Sequence, residues 1–89
     1  MQDLIKQLEH LGQDIAAAIA QLKLAEDERA VGLLLKQTEE PDFWSNPQDA
    51  AATSRRLANL QKHVEVWRKL EQAVRDELDG LREFGEEYE

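Results

Sequence analysis

Cysteine is absent from this 89-residue chain, so neither a disulfide framework nor a thiolate metal site can be built from it, and a reducing compartment is compatible with it. Long apolar runs are also missing. The longest, Ile15-Ala16-Ala17-Ala18-Ile19-Ala20 and Val31-Gly32-Leu33-Leu34-Leu35, fall far short of the roughly 20 residues that cross a bilayer, so no membrane partner is expected. Met1-Gln2-Asp3 has no basic stretch before an apolar run and no small-residue cleavage pattern, so nothing signals export. Cations are scarce: 11 Lys and Arg against 19 Asp and Glu give a net charge of −8, which disfavours a phosphate backbone as the main partner and with it direct nucleic-acid readout. The length excludes a large core, since a domain of this size buries about 60 to 65% of its unfolded surface.

What is present is helical patterning. Leu4, Leu8, Leu11, Ile15, Ala18, Leu22 and Ala25 alternate in steps of four and three, the spacing of one apolar seam on a helix. Gly12 lies within that run at a cost near 1 kcal/mol relative to alanine. Continuing the phase would put Arg29 and Gly32 on the seam, whereas Leu24, Val31, Leu35 and Thr38 form a new one. A break near residues 23–27 is therefore favoured over one kinked helix, and Glu26, Asp27 and Glu28 suit the positive end of a new helix dipole.

Pro41-Asp42-Phe43-Trp44-Ser45-Asn46-Pro47 punctuates the chain. Pro41 pushes Glu40 out of the α region. Asn46 before Pro47, with Asp49 at the third helical position, reads as a helix N-cap. Phe43 and Trp44 fall outside both flanking helices, and a packing role predicts that they plug the end of a helical hairpin, with an anchor for a partner the alternative role of Trp44. From Pro47 onward Ala50, Thr53, Leu57, Leu60, Val64 and Trp67, then after a one-position shift Leu70, Val74, Leu78, Leu81 and Phe84, predict one long helix with Trp67 in the core. Glu65 with Lys69 and Glu71 with Arg75 stand at i,i+4 spacing on its outer face. Gly85 is the expected stop, with residues 86–89 a frayed end because their glutamates oppose the helix dipole. The expected fold is all-α: an antiparallel helical hairpin or incomplete three-helix bundle with coiled-coil-like packing, forming a single domain over residues 1–89. Its helices are placed at about 3–22, 25–39 and 47–84, with the turn at 40–46.

A search for chemistry yields no catalytic, cofactor-binding or metal-ligating residue. His10 and His63 stand on different helices without the spacing of a metal motif. Both read as flank positions. Glu39-Glu40 and Glu86-Glu87 lie at helix ends with no apolar pocket to raise a pKa, and Ser45, Thr53 and Ser54 have no base beside them. No glycine-rich phosphate loop is present. Residues 54–69 hold five of the eleven basic residues, a pattern usual for a solvated helix face.

Leu22-Lys23-Leu24-Ala25-Glu26-Asp27-Glu28-Arg29-Ala30 followed by Glu40-Pro41-Asp42-Phe43-Trp44-Ser45-Asn46-Pro47 resembles the N-terminal domain of bacterial class I peptide chain release factors of type 2. The resemblance spans essentially the whole chain and is strongest over residues 22–81. It implies a fragment of a longer cytoplasmic factor that terminates translation at UGA and UAA. It also implies that this domain contacts the large-subunit stalk base of the ribosome and is not itself catalytic, because the family's Gly-Gly-Gln and Ser-Pro-Phe elements belong to later domains and neither tripeptide occurs here. In the family a further helix follows the third, and without it Val66, Ala73 and their neighbours should leave an apolar stripe that pairs two copies into a homodimer. The alternative is a freestanding coiled-coil interaction or oligomerisation module. A tRNA-gripping helical arm would need a basic hairpin, which the net charge opposes.

Overall fold

The computed structural model describes residues 2–88, with side chains from 2 to 84. Three α-helices follow one another: α1 (Gln2–Gln21), α2 (Leu24–Thr38) and α3 (Pro47–Tyr88), with a single 3-10 turn, Phe43–Ser45, before α3. No strand occurs among the described residues. The fold is all-α, built from helix packed on helix.

α1 ends where the heptad phase changes. The Leu22 N–H donates to the Ala18 carbonyl at 2.9 Å, and the Glu26 and Asp27 N–H groups open α2 on the Lys23 carbonyl at 2.9 and 3.3 Å. Between them Lys23 adopts φ 55 and ψ 47, the left-handed region, and it is the one described non-glycine residue with positive φ. Such a conformation costs a residue with a Cβ about 1 kcal/mol or more. Glu26 and Asp27 in the first turn of α2 favour the restart through the helix dipole. At the other end α3 runs through Gly85 to Tyr88 instead of stopping there. A glycine ends a helix by taking positive φ, and no described glycine does so. The frayed end expected beyond Gly85 reaches Glu89, outside the described residues.

The chain divides into two compact units: Met1–Leu22 with Trp67–Glu89, and Lys23–Val66. In the first, α1 packs antiparallel on the C-terminal half of α3. Ile15, Ile19 and Val74 are buried and Ile5, Leu8, Gly12, Leu78 and Leu81 half-buried. The α1 seam is thus Ile5, Leu8, Gly12, Ile15 and Ile19, not the series through Leu4, Leu11, Ala18 and Leu22. Leu4, Leu11 and Leu22 are exposed. Gly12 belongs to the seam, where a Cβ added to it would stand 3.5 Å from Val74 Cγ1.

The one-position shift expected after Trp67 does not occur. Residues 50, 53, 57, 60, 64, 67, 71, 74, 78 and 81 keep the three-four spacing without interruption, and every one of them is buried or half-buried. Glu71 takes the slot that Leu70 was expected to fill, and Leu70 is exposed. Trp67 is half-buried, not enclosed, and Phe84 is exposed.

In the second unit α2 packs antiparallel on the N-terminal half of α3. Leu24 is fully enclosed, and Leu34, Ala50 and Leu57 are buried. The α2 seam is Leu24, Asp27, Val31, Leu34 and Thr38. It passes through Leu34 in place of the expected Leu35, which is exposed.

Candidate interaction surface

The turn between α2 and α3 is the most closely specified irregular segment of the chain. α2 is capped by Glu39, whose N–H bonds to the Lys36 carbonyl at 3.1 Å, and the Glu40 N–H bonds to the Gln37 carbonyl at 3.1 Å. Phe43 N–H donates to the Glu40 carbonyl at 3.1 Å. The Asp42 carbonyl then accepts both the N–H and the hydroxyl of Ser45. Asn46 has extended φ and ψ, accepts the Asp49 N–H on Oδ1 at 3.3 Å and accepts the Ala50 N–H on its carbonyl at 3.0 Å. This is an N-cap with proline at the first helical position, so the direction of the 3-10 turn is fixed at both ends.

Held this way, Phe43 is half-buried and Trp44 is 63% exposed. Their rings meet edge to face, with centroids 4.7 Å apart and planes at 87°, the arrangement the ring quadrupoles favour. The pair expected to plug the hairpin end is thus split, with Phe43 half-buried and Trp44 presenting its indole to solvent. The electrostatics are one-sided. Glu39, Glu40, Asp42 and Asp49 are all exposed, and no Lys or Arg occurs in residues 37–54. An exposed tryptophan in a turn rich in carboxylates can act as a hydrophobic anchor for a partner whose rim is basic.

The remaining candidate residues are dispersed. His10 is exposed on α1. His63 is half-buried at the edge of the α3 seam in the second unit, its Nε2 3.5 Å from Asp27 Oδ2 of α2. Glu71 bonds back to Arg68 at 3.1 Å and not forward to Arg75. Arg55, Arg56, Lys62 and Lys69 of the basic stretch are exposed. Among the described residues no group of three or more His, Cys, Asp or Glu is placed to hold a metal ion, and no helix is long and apolar enough to cross a membrane. A groove of about 290 Å³ in the second unit, lined by Glu28, Val31, Gln61, Val64 and Glu65, is shallow and carries no nucleophile.

No family model matches the chain, and no solved structure matches it. Among curated proteins it is 29% identical over 79 residues to the peptide chain release factor 2 of Thermomicrobium roseum. The alignment takes in 89% of this chain and 19% of that protein, so the chain spans about a fifth of the length of the curated relative it matches.

Proposed function

We propose that this chain is the N-terminal, ribosome-contacting helical part of a stop-codon-dependent peptide chain release factor. It would work in the cytoplasm, contact the stalk base of the large subunit and take no part in catalysis. The observation that carries the reading is the similarity to release factor 2 along nearly the whole chain. The exposed Trp44 supports it, because an indole that is 63% exposed at a turn capped by Asn46 is suited to anchoring a protein surface. The acidic turn favours ribosomal protein over ribosomal RNA at that anchor.

The test is co-sedimentation of the labelled chain with vacant ribosomes, together with release of labelled formyl-peptide at a stop codon. Ribosome binding weakened by Trp44→Ala, with peptide release no higher than the background without factor, is expected. Release above background would refute the non-catalytic role, and the absence of any ribosome binding would refute the ribosomal one.

A further inference from the structure

One flank of the α1–α3 pair in the first unit holds a salt bridge and lacks the next one. Arg82 Nη2 lies 3.3 Å from Glu9 Oε1. In an antiparallel pair, a step of one heptad forward on α1 and one heptad back on α3 restores the same relation two turns along. Ala16 therefore stands to Arg75 as Glu9 stands to Arg82, and the acid that would complete a second bridge is replaced by a methyl group. Glu71 does not make up for it, because it bonds to Arg68 at 3.1 Å. Among the described residues the Arg75 guanidinium has no ion pair or hydrogen bond.

The vacant slot is also a groove. Gly12, Ala16, Val74 and Leu78 line a space of about 290 Å³ that Arg75 and Arg82 border, open because the two α1 residues on it carry a methyl group or nothing. That volume lies at the lower edge of small-molecule sites, which run from about 300 to 1,000 Å³, so it admits one or two side chains and no large cofactor. Of the charges around it, Arg82 is engaged by Glu9 and Glu71 by Arg68. Asp79, four residues beyond Arg75, lies outside the lining and in the less favoured order for a helical ion pair.

We propose that this groove takes a glutamate side chain of a partner protein, with its methylenes on Val74 and Leu78 and its carboxylate on Arg75. Two observations select that occupant. Arg75 is the one charge lining the groove without a counter-charge, and the Glu9–Arg82 bridge shows that the equivalent slot one heptad away accepts a glutamate. The net charge of −8 opposes an acidic partner at long range, but at physiological salt screening over about 8 Å leaves the nearby cation in control. The proposal does not depend on the ribosomal role, because it concerns another unit and other residues than Trp44.

The test uses two fluorescein-labelled synthetic helices of alanine and leucine, one carrying a single glutamate among its leucines and the other glutamine in its place. Each is titrated with the whole chain at physiological salt and followed by anisotropy, while sedimentation equilibrium reports the mass of the chain alone. The glutamate helix should bind one per chain and about fivefold to tenfold more tightly than the glutamine helix. Arg75→Gln should bring that preference below about twofold, and Ala16→Glu should do the same at unchanged helicity by filling the slot from within the chain. Arg55→Gln in the second unit should leave the preference as it is. Equal binding of the two helices would overturn the proposal, as would a preference that survives either Arg75→Gln or Ala16→Glu, or one that Arg55→Gln removes as fully, which marks general attraction of an anion. Displacement of the glutamate helix by an equal concentration of sodium acetate would overturn it in favour of a free carboxylate. A chain mass that doubles with concentration in the parent and stays at the monomer in Ala16→Glu would overturn it in favour of a second copy.

Discussion

The first and second units are built on one uninterrupted heptad of α3, yet they handle their polar seam residues in opposite ways. In the second unit the intruding charge is Asp27 of α2, and it reaches His63 on α3, so the polar pair spans the two helices. In the first unit the intruder is Glu71 of α3, and its partner Arg68 stands on the same helix. A bond within one helix satisfies the carboxylate without tying α1 to anything. The second unit also encloses Leu24 completely, whereas the first sets a glycine in its central layer. Identical spacing therefore specifies which faces meet, and the residues in a few slots decide how firmly they do.

That contrast can be broken most severely at Leu24. Leu24→Ala should cost about 2 to 5 kcal/mol through lost burial and the cavity left behind, lowering the melting temperature followed by circular dichroism more than any single change in the first unit. A smaller effect of opposite sign is expected at Glu71, where Glu71→Leu would put an apolar side chain in the layer of Ile15 and should stabilise by about 1 to 2 kcal/mol. If its urea midpoint falls instead, Arg68 and Glu71 contribute more than their geometry indicates. Gly12→Ala should stabilise by up to about 1 kcal/mol, because alanine is the better helix former and its methyl would make ordinary contact with Val74 at 3.5 Å. A loss of stability there would mean that the helices need the closer approach of a glycine. The smallest effect should come from Asp27→Asn. The contact is 3.5 Å long with both side chains partly in water, so its loss should cost about 0.5 kcal/mol.

The sequence was legible wherever a residue's role depends on its immediate neighbours. Pro41, Asn46 and Pro47 impose their turn and cap through local geometry, and the break at Lys23 follows from the change of phase on either side of it. Register was harder to read for a physical reason. In α1 leucines at 4 and 11 stand directly before the true seam positions 5 and 12, and a glycine at 12 gives no apolar signal. A reading that seeks large side chains is thus drawn one position off. The same bias turned Glu71 into a supposed shift toward Leu70, because a charge satisfied within its own helix can occupy a seam slot that patterning reserves for apolar residues. Trp44 was visible as an anomaly, but whether an aromatic in a turn faces inward or outward depends on how the turn is aimed, and tertiary geometry decides that.

The unbroken heptad of α3 has a consequence for folding. A repeat that recurs every seven residues is a ruler with identical divisions, so α1 displaced by one division would again lay apolar side chains on apolar side chains. Its ion pair would not betray the error, because Arg75 sits one heptad before Arg82 and would receive Glu9 in the displaced alignment. What distinguishes the native alignment is the content of single slots, such as Gly12, which faces Val74 in the native alignment and would face Trp67 in the displaced one. The first unit thus relies on a few unlike residues to remove a near-degenerate competitor from its landscape, and making those slots alike would let the competitor return as a misaligned folding trap.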